Sequence, residues 1–205
     1  MNLSERKKEL KNILMLEGIT DTKVLKAFEK VPREEFVKEE LREYAYLNRP
    51  LPIGYDQTIS QPFIVTFMTQ LLNVNKEDTV LEIGTGCGYQ TAILAELAKE
   101  VFTIELVPEL SVEAQETLKK LGYKNIQFKV GDGKEGWEKF APFDRIIGTS
   151  APPQLPTDLV DQLALDGIMV IPIGNEAQQL FIIKKSSKGQ IDLEPSIPVK
   201  FVPML

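Results

Sequence analysis

The sequence predicts an α/β fold: a doubly wound, mainly parallel, Rossmann-like sheet of seven strands behind a helical N-terminal cap. Two observations carry this prediction. From residue 79 onward, short apolar segments of strand length alternate with helical segments, an order that favours right-handed βαβ crossovers and a parallel sheet covered on both faces. Before residue 79, apolar residues recur at helical spacing instead. A chain of 205 residues is expected to bury one core and form one domain.

The N-terminal part is predicted to be helical up to a proline-rich loop. Apolar residues at helical spacing predict two helices before residue 30, with Asp21 as the N-cap of the second and Pro32 at its end. Residues 48–61 contain three prolines or glycines among polar residues, which predicts an ordered loop. Pro62 suits the first position of a third helix.

The C-terminal part supplies the sheet. The first strands are expected at 79–83, 101–105, 126–130, 143–148 and 168–173. Most of them are separated by predicted helices at about 90–99, 108–121 and 155–164. Two later strands, 179–185 and 197–202, have no helix between them, so we expect an antiparallel hairpin at one edge of the sheet.

Composition excludes several classes of function. There is no His and only one Cys, which excludes Ser-His-Asp and Cys-His catalysis and ordinary zinc or copper sites, so we expect no metal. A net charge of −6 disfavours a nucleic-acid partner. No apolar run is long enough to span a membrane, and the charged N-terminus lacks the features of a secretory signal. Together with the single Cys, these features suggest a cytoplasmic protein.

The most specific local signal is the acid-x-G-x-G-x-G pattern from Glu82 to Gly88, directly after the first predicted strand and before a helix. A glycine-rich turn there lets the backbone approach a ligand at the carboxyl edge of the sheet. Glu105 ends the second strand, where a carboxylate can accept hydrogen bonds from ribose hydroxyls. A dinucleotide site would have glycine at the position of Tyr89 or Thr91, so this pattern opposes a nicotinamide cofactor.

The pattern resembles the first motif of class I methyltransferases that use S-adenosyl-L-methionine. Gly131-Asp132-Gly133, after the third strand, fits the same superfamily, whose acidic residue there meets the adenine amino group. Within that superfamily, Tyr55 to Pro62 resembles the Q-T-I-S-x-P signature of protein-L-isoaspartate O-methyltransferases. The resemblance extends over almost the whole chain, through residues 31–34, 51–54, 82–89, 131–133, 141–144, 151–153 and 200–203.

This resemblance implies a function. Such an enzyme transfers a methyl group from S-adenosyl-L-methionine to the free carboxylate of L-isoaspartyl and D-aspartyl residues in damaged proteins. It releases S-adenosyl-L-homocysteine and starts repair through a succinimide. The expected partners are isoaspartyl-containing proteins and peptides, recognised in flexible segments, and the expected state is a monomer. Residues 1–75 would then form the helical cap and substrate loop, and residues 76–205 the cofactor-binding core.

The resemblance also implies the site residues. Ser60 is assigned the catalytic position, where its hydroxyl would hold the substrate carboxylate against the methyl group. The cofactor-binding set comprises Thr58, Ile59, Ser60, Glu82, Gly84, Thr85, Gly86, Glu105, Leu106, Asp132 and Gly133. The chain departs from many relatives at Phe63, where they carry His or Tyr.

The chemistry suits a chain without His. A free carboxyl has a pKa of about 4, so the substrate is already ionised at neutral pH and needs no general base. The [DNS]-P-P-[YF] motif of many exocyclic-amine methyltransferases is absent, since Ala151 and Gln154 flank the two prolines. Three alternatives stay open: a small-molecule or nucleic-acid methyltransferase, a nicotinamide-dependent oxidoreductase, and a catalytically inactive binding module.

Overall fold

Helices come first along the chain, and strands alternate with helices after residue 79. The computed structural model describes residues 2–204. The α-helices are α1 (Leu3–Leu16), α2 (Thr22–Lys30), α3 (Pro62–Leu72), α4 (Tyr89–Leu97), α5 (Pro108–Lys120) and α6 (Thr157–Asp161). The strands are β1 (Leu51–Gly54), β2 (Gln57–Ile59), β3 (Thr79–Ile83), β4 (Glu100–Glu105), β5 (Ile126–Val130), β6 (Phe143–Gly148), β7 (Leu163–Ile173), β8 (Gln178–Lys185) and β9 (Ile191–Val199).

The main sheet has the predicted doubly wound architecture. Its seven strands lie in the order β5-β4-β3-β6-β7-β8-β9. The pairs from β5 to β7 are parallel, whereas β8 pairs antiparallel with both β7 and β9. The chain runs from β3 outward to β5 and then returns to place β6 on the other side of β3. In an open α/β sheet, ligands bind at the carboxyl edge where the strand order reverses in this way.

The cap is joined to the sheet by a continuous apolar core. Asp21 begins α2 as predicted, because its side chain accepts hydrogen bonds from the backbone N–H groups of Lys23 and Val24. Pro62 occupies the first turn of α3. One cluster of buried side chains includes residues of α1, α2, α3, α4 and the middle of the sheet. Burial of this shared apolar surface is what fixes the cap over the carboxyl edge.

The predicted loop at residues 48–61 contains a β-hairpin, which corrects that part of the prediction. Strands β1 and β2 pair antiparallel, with Leu51 opposite Ile59. The turn residues Tyr55 and Asp56 both have positive φ angles, 51° and 56°. Two positive φ values are the requirement of a type I′ turn. The usual Asn-Gly or Asp-Gly signal is missing, so composition gave no sign of the hairpin.

Three further boundaries differ from the sequence prediction, and one of them is the strand expected at 168–173, which begins at Leu163. The helix expected at 155–164 is limited to Thr157–Asp161, because the following strand already begins at Leu163. The last strand spans Ile191–Val199 rather than 197–202. Residues 200–204 instead cross to the end of β6, where the backbone N–H of Ala151 donates to the carbonyl of Val202 at 2.9 Å.

Candidate active site

A cleft opens at the carboxyl edge of the main sheet, at the reversal of strand order. It has about 1020 Å³ of atom-free space, part of which is open to solvent. Its walls come from the β1–β2 hairpin and α3, from the turns after β3, β4 and β6, and from residues 201–204. The predicted site residues in its lining are Thr58, Ile59, Ser60, Gly84, Thr85, Gly86, Glu105, Leu106 and Gly133. The two other predicted residues, Glu82 and Asp132, lie outside the lining.

The turn after β3 forms the floor of the cleft and requires glycine at Gly84. This residue has a φ of +94°, and a Cβ atom built on it would lie 2.3 Å from Oγ1 of Thr149. The Thr149 hydroxyl donates to the carbonyls of Ile83 and Gly84, at 3.0 and 2.7 Å. The turn therefore packs directly against the end of β6 and exposes its backbone to the cleft.

Glu105 fixes the loops that flank the cleft. Its Oε2 accepts a hydrogen bond from the backbone N–H of Gly86 at 2.7 Å, and its Oε1 accepts one from Val107 at 2.9 Å. A carboxylate oxygen can accept two hydrogen bonds, so each oxygen keeps one acceptor position for a ligand hydroxyl. Glu105 thus holds the glycine-rich turn and the start of the next loop, and its predicted contact with a ribose stays a prediction.

Glu82 lies beneath the floor and reaches the cleft only through hydroxyl groups. Its side chain is 0 % exposed, and its Oε2 accepts from the hydroxyls of Thr91 and Thr103, each at 2.6 Å. Thr103 in turn lies 2.6 Å from the hydroxyl of Thr85, which lines the cleft. Burial raises the pKa of Glu82 to about 8, against the opposing effect of the two threonine hydrogen bonds. The assignment of Glu82 to the cofactor stays a prediction.

The segment after β5 contributes one residue that lines the cleft and one residue that caps a short 3-10 turn. Gly133 lines the cleft. Asp132, which is partly exposed, accepts a hydrogen bond from the backbone N–H of Lys134 at 2.9 Å and so caps the short 3-10 turn that begins at Gly133. Its predicted contact with an adenine amino group stays a prediction. Leu106, 44 % exposed, offers an apolar surface beside Glu105.

Ser60 lies at the end of the hairpin, where its strand leads into α3. The Ile59 side chain is buried, whereas Thr58 is exposed and Ser60 is half-buried. All three line the cleft opposite the glycine-rich turn. A groove continues outward from the cleft, and Ser60 lines this groove together with Pro198 and Lys200. A long, flexible ligand in that groove would pass the Ser60 hydroxyl.

Several cleft residues were not predicted. Thr149 and Ser150 follow β6 directly, so the rule that found Asp132 would have found them as well. The tail residues 201–204 carry no such signal, because they reach the cleft only where the chain returns after β9 and Pro203 bridges to Ala151, just beyond β6. Burial raises the pKa of the Cys87 thiol to about 11, which leaves it protonated and unsuited to act as a nucleophile.

Within residues 2–204, no three side chains of His, Cys, Asp or Glu come together in a group that could hold a metal ion. None of the helices in the same range is long and apolar enough to cross a membrane.

Comparison with known proteins identifies the family. The family model of protein-L-isoaspartate(D-aspartate) O-methyltransferases (PCMT) matches residues 5–205. The chain belongs to this family. A protein-L-isoaspartate O-methyltransferase of Dictyoglomus turgidum is 54% identical over 200 residues, which cover 97% of this chain and 90% of that one. The corresponding protein of Picosynechococcus sp. is 49% identical over 199 residues, with 97% and 89% covered.

The solved structure of a protein described as a candidate PCMT enzyme has the same fold as this chain. This protein, from Plasmodium falciparum, was crystallised in complex with S-adenosyl-L-homocysteine. It superposes with a TM-score of 0.84 at 26% identity, with 97% of both chains covered. Membership of the PCMT family confirms the family resemblance found in the sequence. The sheet described above confirms the predicted fold class.

Proposed function

We propose that the protein transfers a methyl group from S-adenosyl-L-methionine to the free carboxylate of L-isoaspartyl and D-aspartyl residues in proteins and peptides. The observation that carries this proposal is one cleft that combines the Thr58-Ile59-Ser60 segment, the glycine-rich turn and Glu105. PCMT family membership supports the substrate class. Methylation makes the carboxylate oxygen a leaving group, so that the next backbone nitrogen can close a succinimide.

The residues of the cleft fit the proposed cofactor. Glu105 keeps an acceptor position on each oxygen for the ribose hydroxyls. Leu106 offers an apolar face to a purine ring, and the two glycines of the turn at Gly84–Gly86 let its backbone approach the ligand. When bound, S-adenosyl-L-methionine supplies an electrophilic methyl group on a positively charged sulfur.

The chain's own contribution is position rather than proton transfer. In this proposal the Ser60 hydroxyl donates a hydrogen bond to one oxygen of the substrate carboxylate and directs the other oxygen at the methyl carbon. The substrate is ionised at neutral pH, so no side chain has to remove a proton from it. Alignment of two bound groups can supply a large part of the rate enhancement by itself. Ile59, buried behind Ser60, limits the freedom of this segment.

The proposal assigns the two halves of the chain different tasks. Residues 1–75 supply the substrate-facing cap and loop, and residues 76–205 hold the cofactor. The groove that continues from Ser60 past Pro198 and Lys200 suits an extended backbone, which supports a preference for flexible segments of the damaged protein. We place the enzyme in the cytoplasm and expect it to act as a monomer.

Transfer of labelled methyl groups tests the function. Two peptides that differ only in isoaspartate against normal aspartate are incubated with the protein and labelled S-adenosyl-L-methionine. We expect base-labile label on the isoaspartyl peptide alone, since a carboxyl methyl ester hydrolyses in base. Equal labelling of both peptides, or none with the cofactor still bound, would refute the assignment. A D-aspartyl peptide in the same assay tests the second substrate.

A further inference from the structure

Arg33 is a buried cation beside the candidate active site. It lies in a short 3-10 turn, Arg33–Phe36, and its side chain is 0 % exposed. Within residues 2–204 its guanidinium forms no ion pair. A buried charge without a counter-ion is costly, and here burial lowers the pKa of the guanidinium from its ordinary value.

The guanidinium connects three segments that are far apart in the sequence. Its Nη2 donates to the carbonyl of Ser60 at 2.8 Å, and its Nε donates to the carbonyl of Ala45 at 2.8 Å. Its Cζ lies 4.8 Å from the centre of the Tyr89 ring, at the start of α4. Both Ser60 and Tyr89 line the cleft. The planar fork of one arginine thus joins the cap to the substrate segment and to the wall of the cofactor cleft.

The Ser60 carbonyl depends on this donor. The helix α3 begins at Pro62, and the carbonyl of Gln61 accepts its first helical hydrogen bond, from Val65 at 3.1 Å. The Ser60 carbonyl lies one peptide earlier, outside the helix, and Arg33 supplies its hydrogen bond. Fixing that carbonyl fixes the peptide plane that follows Ser60. The direction of the Ser60 side chain is then restricted as well.

We propose that Arg33 is a positioning residue that holds Ser60 in the orientation its hydroxyl needs for the substrate carboxylate. This inference rests on the proposed function. Lysine cannot replace arginine in this role, because its single ammonium group cannot reach both carbonyls in the plane of the fork. The effect of Arg33 on the methyl transfer therefore passes through Ser60.

A double-mutant cycle between Arg33→Lys and Ser60→Ala tests this dependence. The cycle uses the full chain, the isoaspartyl peptide and saturating S-adenosyl-L-methionine. We expect Arg33→Lys alone to lower kcat by roughly 10- to 100-fold, since small misplacements of aligned groups have effects of this size. In the Ser60→Ala background the same substitution should lower kcat by less than about threefold. Independent losses that multiply in the double variant would overturn the proposal.

Arg145→Lys is the matched control. Arg145 is also a buried arginine that donates to two backbone carbonyls, of Asn73 and Asp144, but it pairs with Asp78 at 3.3 Å and lies at the amino edge of the sheet. Arg145→Lys should lower the thermal midpoint while kcat and KM stay unchanged. If it lowers kcat as much as Arg33→Lys does, the effect is general destabilisation and the proposal fails.

The experiment separates failure of the proposed function from failure of the role of Arg33. If wild-type protein does not methylate the isoaspartyl peptide, the proposed function has failed. If the wild type is active but the effects of the two substitutions on kcat are independent, only the role of Arg33 is contradicted. If Arg33→Lys does not fold, Arg33→Gln takes its place, because a neutral amide removes the cost of the buried charge and still donates one hydrogen bond. If neither variant folds, Arg33 is required for folding and the proposal is overturned.

Discussion

Replacement of Glu82 by Gln is predicted to remove most of the protein's pH-dependent stability between mildly acidic and mildly basic solution. Burial raises the pKa of this carboxyl from 4.5 to about 8 in the folded protein. Between these two values, the native state keeps a proton that the unfolded chain has released. The unfolded state then binds fewer protons, so the free energy of unfolding falls as the pH rises towards 8.

The size of the effect follows from the two pKa values. Each pH unit inside the window lowers the free energy of unfolding by up to RT ln 10, so the change from pH 5 to pH 8 is on the order of 3 to 4 kcal/mol. Gln is neutral at every pH and keeps a carbonyl oxygen for the hydroxyls of Thr91 and Thr103. Its amide group adds a buried donor, which changes stability by the same amount at all pH values. The substitution therefore removes the fall of the free energy of unfolding with rising pH.

Denaturant unfolding at a series of pH values between about 5 and 8 measures this slope. The chain contains no His, so no imidazole titration overlaps with the window. Glu194→Gln is the control, because Glu194 is about half exposed and pairs with Lys184 at the surface. Its profile should follow that of the wild type. Parallel profiles for the wild type and Glu82→Gln would refute the argument that Glu82 is protonated in the native state.

Three further substitutions test the cleft. Ser60→Ala should lower kcat by roughly 10- to 100-fold, because alignment of the substrate carboxylate is lost, while the Kd of S-adenosyl-L-homocysteine stays unchanged in calorimetry. Glu105→Gln should raise that Kd by roughly 10- to 100-fold, since an amide leaves one backbone N–H of the loops without an acceptor. Gly84→Ala should lower the free energy of unfolding by about 2–4 kcal/mol, because the new methyl group meets the Thr149 hydroxyl and the φ is positive.

For each of these three predictions, one result would contradict the reasoning. A weaker cofactor affinity in Ser60→Ala would mean that the hydroxyl acts on the cofactor rather than on the substrate. An unchanged Kd in Glu105→Gln would mean that the loops keep their shape without the carboxylate. Gly122→Ala is the control for Gly84, since its φ is +87° but a Cβ meets nothing within 4 Å. If the two alanine variants lose equal stability, backbone strain alone explains Gly84.

The central parallel strands β3, β4 and β6 could be predicted from the sequence because they are buried on both faces and read as largely apolar segments. The edge strand β9 could not. Ile191 and Leu193 remain 42% and 43% exposed, and Pro195 and Pro198 interrupt the pattern, as an edge strand tolerates. The more apolar residues further on suggested a strand at 197–202, but the tertiary contact with Ala151 draws their end towards the cleft.

The candidate site was predictable wherever a functional residue follows a strand. Gly84 and Glu105 come directly after or at the end of strands, and the doubly wound topology brings those ends together. Local patterns do not reveal Arg33. An arginine in a polar segment of the cap suggests a surface residue, and only the packed structure shows that its guanidinium reaches Ser60, 27 positions away. Contacts of this kind depend on the tertiary fold and leave no periodic signal.

The side chains of the cleft fit a reaction in which the substrate brings its own charge. Within residues 2–204, Glu105 is the one carboxylate in the lining, and both of its oxygens already accept backbone hydrogen bonds. Glu82 is neutral below its pKa of about 8 and lies behind two threonines. Under the proposed function, the group that meets the substrate is the Ser60 hydroxyl, a hydrogen-bond donor suited to orienting an anion. A nucleophile that had to lose a proton would find no base in this cleft, whereas a carboxylate needs none.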